Sequence, residues 1–69
     1  MKGGQVIKAA RRYREMTQSE VAALYGVSLR TVQRWEKSKS LHFEIVFAVV
    51  EQVCNLKLGH VLLMGYEDE

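Results

Sequence analysis

Arg30, Gln33, Arg34 and Lys37 are spaced to do one piece of chemistry together. At about 100° per residue they share, with Leu29, an arc of about 140° on a helix, and Ser28, Thr31, Val32 and Trp35 fall opposite. One face would pack through Val32 and Trp35. The other would present two guanidinium groups, an amide, an ammonium and one exposed leucine. Arginine fits the O6/N7 edge of guanine with two hydrogen bonds, and leucine can meet a thymine methyl, so the pattern suits a helix that reads base edges. A merely solvated surface helix is the plainer alternative. The remaining candidates are weaker. His42 and His60 have no cysteine or carboxylate at ligand spacing and read as surface or core histidines rather than metal ligands. Cys54, the one cysteine, lies on an apolar helix side and reads as a small buried hydrophobe. Ser19, Ser28, Ser38 and Ser40 read as caps and loop residues. The pattern supports no catalysis, metal or cofactor.

Such a reading helix needs a frame, and the flanking residues predict one. Residues 5–15 read as a helix, with Val6, Ala10 and Tyr13 near one face. Thr17-Gln18-Ser19-Glu20 matches the capping box, which starts a second helix running to Tyr25. Gly26 ends it where a left-handed conformation is needed, and Ser28 caps a third helix over residues 29–36. Ser38-Lys39-Ser40 reads as a short polar loop. A fourth helix over residues 43–54 ends at Asn55, and a short fifth covers residues 58–64. A capped helix, a tight glycine turn and a second capped helix is a helix-turn-helix arrangement.

The size and charge of the chain agree with this reading. Sixty-nine residues make one compact domain, too small for a large enzyme cleft or a cofactor-binding sheet covered on both faces. The longest apolar run, residues 45–50, is far short of the roughly 18 residues of a membrane span. Met1-Lys2-Gly3-Gly4 is not followed by an apolar stretch, so no secretory signal is expected and the location is cytoplasmic. Residues 1–40 carry nine Lys and Arg against three Glu, net +6; residues 41–69 carry one Lys against five Asp and Glu, net −4. That asymmetry suggests one face turned toward a polyanion, with an uneven solvated surface as the alternative.

Taken in order, Ile7-Lys8-Ala9-Ala10-Arg11-Arg12, Met16-Thr17-Gln18-Ser19-Glu20-Val21-Ala22, Tyr25-Gly26-Val27-Ser28 and Thr31-Val32-Gln33-Arg34-Trp35-Glu36 resemble the Cro/repressor (XRE-like) helix-turn-helix family of phage and bacterial regulators. The resemblance covers about residues 4–64 and is most specific over residues 17–36. It implies that Leu29, Arg30, Gln33 and Arg34 line the major groove of DNA. Gln18, at the start of the second helix, would bond a backbone phosphate, and Lys37, Ser38 and Lys39 would grip phosphates from the following loop. Arg11 would pair with Glu36 to tie the first helix to the reading helix. The chain departs from the family pattern at four places. Glu15 and Ser38 stand where glycine is usual, Leu24 stands where a polar residue is usual, and Leu29 is apolar where many relatives carry a polar base reader.

Residues 43–54 hold nine apolar side chains in twelve, which is more than a one-sided helix needs. Three short helices before it leave a surplus, and that surplus, with Leu41, Leu62 and Leu63, predicts contact with a second copy of the chain. The expected interface residues are Ile45, Val49, Leu62 and Leu63. A tightly wrapped monomer is the alternative. Five β-branched residues here (Ile45, Val46, Val49, Val50 and Val53) weaken the helix and favour strand, but the leucine spacing after them keeps the helical reading.

The expectation is therefore an all-α, five-helix repressor-like domain spanning residues 1–69, with a folded core over 4–64 and an acidic tail over 65–69. It would bind a near-palindromic double-stranded operator as a homodimer and act by occupancy as a Cro-type regulator. With the chain ending soon after the reading domain, no ligand-sensing domain and no small-molecule ligand are expected. A protein-interaction module, antitoxin-like or an anti-repressor partner using the apolar fourth helix, is the reading from another class.

Overall fold

The computed structural model describes residues 3–63, and among these the regular elements are all helical. They are α1 (Gly3–Tyr13), α2 (Gln18–Tyr25), α3 (Leu29–Lys37), α4 (Phe43–Phe47), which runs on into a π-helical segment (Ala48–Val53), and α5 (Leu58–Leu62). The expected acidic tail, and Met64 at the end of the fifth helix, lie outside the described residues.

The first helix begins two residues earlier than expected, inside a glycine pair that propensity alone disfavours. Close packing explains this. A β-carbon at Gly4 would overlap the carbonyl oxygen of Trp35 and come within 2.8 Å of those of Glu36 and Ser38. Only glycine lets the positive end of α1 approach the carbonyl-rich end of α3 so closely. From there α1 packs against α3, α4, the π segment and α5, and α2 packs against α3 and the π segment. The core is continuous across these contacts: Val6, Ile7 and Ala10 from α1, Val21 and Ala22 from α2, Val32 from α3, then Val46, Val49, Val50, Cys54, Leu58 and Val61. Tyr13 does not join it. The ring lies at the end of α1, more than half exposed, with its centroid 6.1 Å from that of His60.

Two expectations about the fourth helix change. The α-helix gives way after Phe47 to wider i→i+5 turns, closed by the Cys54 N–H donating to the Val49 carbonyl at 2.8 Å. Three of the six residues in that segment are valines, whose branched side chains crowd the tighter α turn. The apolar surplus is also smaller than expected, because both α1 and α2 pack against the π segment. Val46, Val49 and Val50 are fully covered within one chain, Cys54 almost so, and Leu41 packs against the core. The exposed apolar side chains of α4 are instead Phe43 and Phe47, 56% and 40% exposed, with ring centroids 6.0 Å apart.

Candidate nucleic-acid interface

The elements around α3 are fixed mainly by local side chains. Thr17 Oγ1 accepts from the Glu20 N–H at 3.0 Å, and Glu20 Oε1 accepts from the Thr17 N–H at 2.7 Å, completing the capping box of α2. Gly26 takes φ 93°, and the Gly26 and Val27 N–H groups both return to the Ala22 carbonyl. Ser28 Oγ accepts from the Thr31 N–H at 3.2 Å and caps α3. The two helices of the turn are then held face to face by Tyr25 and Trp35, whose rings meet edge-on at 5.1 Å. Val32 is fully buried beneath α3 while Trp35 is half-buried, so the packing face is where the periodicity places it.

Behind α3 sits a charged lock. Arg11 Nε donates to Glu36 Oε2 at 2.6 Å and Arg11 Nη2 to Glu36 Oε1 at 3.1 Å, with both side chains largely buried. Arg11 Nη1 also donates to the Met16 carbonyl at 2.9 Å, so one guanidinium holds the α1–α2 turn and the end of α3 together. Gln18 joins the same group: its Nε2 donates to Glu36 Oε1 at 3.0 Å. The side chain that the family resemblance assigns to a phosphate is thus half-buried, with one amide N–H already given to Glu36.

On the outer side, Leu29, Arg30, Gln33, Arg34 and Lys37 are all exposed, Leu29 at 41%. Arg30, Gln33, Arg34 and Lys37 line one shallow depression of about 220 Å³ along α3. After α3 the chain leaves through Ser38 at φ −78° and ψ 139°, an extended conformation open to any residue, so the glycine usual in the resembled family is not needed here. Ser38 Oγ accepts from the Ser40 N–H at 3.3 Å and shapes the loop, and Lys39 is exposed beside it. At the other departure, Glu15 does take the left-handed conformation, at φ 56°, so the turn after α1 is kept without glycine.

The remaining sequence candidates scatter. Ile45 is half-buried, Val49 fully buried, Leu62 40% exposed and Leu63 almost fully exposed. Val49 is therefore withdrawn from any surface that a second copy could reach. Burial pushes the Cys54 thiol above its ordinary value, and the charges of Arg11 and Arg14 offset this only partly. Among the described residues no group of three or more His, Cys, Asp or Glu is placed to hold a metal ion, and no helix is long and apolar enough to cross a membrane.

Three side chains have roles that sequence reasoning missed. Arg14 belongs to the basic half of the chain, yet its Nε and Nη2 donate to the carbonyls of Cys54 and Asn55 at 2.9 and 3.0 Å and close the end of the π segment. Glu51 Oε2 accepts from the Leu58 N–H at 2.8 Å and starts α5. Lys8 stands one turn before Arg11 on α1 and lines a recess with Gln18, Gln33 and Lys37. Only the last carried a signal, the i, i+3 spacing from Arg11.

A family model described as a homeodomain-like domain, of the helix-turn-helix type, matches residues 4–38, just over half of the chain. The match takes in α1, α2 and α3 together with their turns. No curated protein and no solved structure matches significantly.

Proposed function

The chain belongs to the homeodomain-like helix-turn-helix family, and from that premise we propose a sequence-specific, Cro-type transcriptional regulator that inserts α3 into the major groove of double-stranded DNA. The observation that carries this reading is the pairing of a locked helix with an unobstructed polar face. Arg30, Gln33 and Arg34 project from a helix whose start, rear and end are all fixed. Base edges are read best by side chains on a rigid element, because each bidentate contact is worth about 1–3 kcal/mol only when the geometry is held. Leu29, at the first turn of α3, supplies the apolar contact for a thymine methyl. Lys37 and Lys39, with Ser38, hold the backbone phosphates that set the register. Control is by occupancy: bound at an operator, the protein blocks or recruits RNA polymerase.

A homodimer on a near-palindromic operator completes the reading. Its support is the apolar surface left outside the monomer, above all Phe43 and Phe47 on α4, with Leu62 and Leu63 on α5 and a half-buried Ile45. A twofold pair would set two reading helices about 34 Å apart, one turn of DNA. The same phenylalanine pair favours the second reading, a module that docks on another protein through α4.

Selection of bound duplexes from a random library at two salt concentrations separates these readings. The expected result is an enriched near-palindrome, with Arg34→Ala losing about 1–3 kcal/mol on the best site and relaxing preference at one base pair. Weak, strongly salt-dependent binding with no enriched sequence would overturn the reading of α3 as a base reader and favour the docking module. Phe47→Glu should lower the sedimentation coefficient toward that of a monomer. Unchanged sedimentation would remove α4 from the interface.

A further inference from the structure

Of the side chains on the reading face, Arg30, Gln33, Arg34 and Lys37 can hydrogen-bond and Leu29 cannot. The core does not need Leu29: Val32 is the fully buried residue of α3, while Leu29 is left 41% exposed. Its position is set by the start of the helix. Leu29 directly follows the Ser28 cap, whose Oγ accepts from the Thr31 N–H at 3.2 Å and pairs with the Thr31 hydroxyl at 3.0 Å. The leading turn of a reading helix is the part that meets base edges. Gln33, one turn further on, lines the depression with Arg30, Arg34 and Lys37, so Leu29 would enter the groove beside donors suited to purine edges.

What a leucine can distinguish there is narrow. The major groove presents hydrogen-bond donors and acceptors and one apolar group, the C5-methyl of thymine. Leucine makes no hydrogen bond to the O4 of thymine or to the amino group of cytosine. It therefore separates these bases by the methyl group and not by their polar edges. Cytosine methylated at C5 carries the same group at the same place in the groove.

We propose that Leu29 reads the C5-methyl group of a pyrimidine rather than thymine as such, and that operator affinity therefore responds to cytosine methylation at one position of each half-site. The inference rests on the DNA reading above and adds a chemical input to it. An operator with thymine at that position is bound whatever its methylation. One with cytosine there is bound more tightly once that cytosine is methylated, so occupancy follows the methylation state of the duplex.

The test uses the full chain and the duplex selected from the random library. At every pyrimidine position of one half-site four duplexes are built, carrying thymine, uracil, cytosine or 5-methylcytosine. The thymine–uracil and 5-methylcytosine–cytosine comparisons each change one methyl group and leave the base pair unaltered. At one position the methyl group should strengthen binding about fourfold in both comparisons, the effect of burying one such group. Leu29→Ala, checked for native helicity, should erase both differences and keep the sequence preference at the other positions. If the wild type selects a sequence and no methyl group changes its affinity, this inference fails and the reading of α3 stands. A methyl effect that survives Leu29→Ala also overturns it, since the group then acts through another residue or through the shape of the duplex. So does a thymine–uracil difference with no counterpart at cytosine, because Leu29 would then read thymine alone. A wild type that selects no sequence overturns the DNA reading and this inference with it.

Discussion

The helices of residues 3–38 and those that follow pack into one core, but their ends are satisfied in different ways. In the first region α2 and α3 are closed by neighbours in sequence: Thr17 with Glu20, Gly26 with Ala22, Ser28 with Thr31. In the second, α4, the π segment and α5 have no side-chain cap of their own. The π segment is closed by Arg14 from forty residues away, and α5 is started by Glu51 from the preceding element. Local closure makes a helix pair that keeps its geometry as a unit, which is what a docking helix needs. Long-range closure makes the C-terminal helices depend on the frame they brace. The family match, confined to residues 4–38, follows the same division.

Removing the lock should have the largest effect. The Glu36 side chain is almost wholly buried, and Arg11→Ala would take away both guanidinium donors to its carboxylate while the Gln18 amide remains. A loss of about 3 kcal/mol or more is expected in urea unfolding, enough to consume much of the stability of so small a domain. Arg11→Met combined with Glu36→Leu should recover more than half of that loss, because no buried charge is then left alone. A loss below about 1 kcal/mol for the single variant would mean that water reaches the pair, and the locked-frame side of the comparison would fail.

How much of this was legible follows the same division. Capping signals act within about four residues, so Thr17, Gly26, Ser28 and the polar face of α3 could be read directly from spacing. Asn55 also ends its helix as expected, at φ 62°. The early start of α1 could not be read, since Gly4 is explained only by carbonyls more than thirty residues away. The role of Arg14 and the burial of Val49 were hidden for the same reason. A helical wheel says which residues share a side, not how many neighbours reach that side, so it overcounted the surface left for a second copy. The π turns have no residue signature beyond a run of β-branched residues that taken alone favours strand.

The next prediction compares the two kinds of closure. Thr17→Ala should lose about 1 kcal/mol, the ordinary effect of a missing N-cap, with faster amide exchange in the first turn of α2. Arg14→Ala should lose a similar amount, about 1 kcal/mol, since its charge-assisted bonds are partly open to water. The difference lies in where the loosening appears. Arg14→Ala should speed exchange at Cys54 and Leu56, whose N–H groups finish the π segment, while leaving its own helix protected. Loosening confined to residues 10–16 would show that the second region closes itself.

The smallest effect has the opposite sign and tests the two left-handed residues that end helices in the two regions. Glu15 at φ 56° and Asn55 at φ 62° occupy nearly the same backbone conformation. For most L-residues that conformation is unfavourable by about 1–2 kcal/mol, whereas asparagine tolerates it by local hydrogen bonding. Glycine relieves the crowding but widens the freedom of the unfolded chain, which returns about 0.5–1 kcal/mol. Glu15→Gly should therefore stabilise by a few tenths to about 1 kcal/mol, a rise of roughly 2–6 °C in Tm for a chain of this length. Asn55→Gly should gain little or nothing. Equal gains would mean that backbone crowding is not what separates the two residues. A loss at Glu15 would mean that the side chain contributes something glycine cannot replace, and the turn after α1 would then be held by more than its backbone.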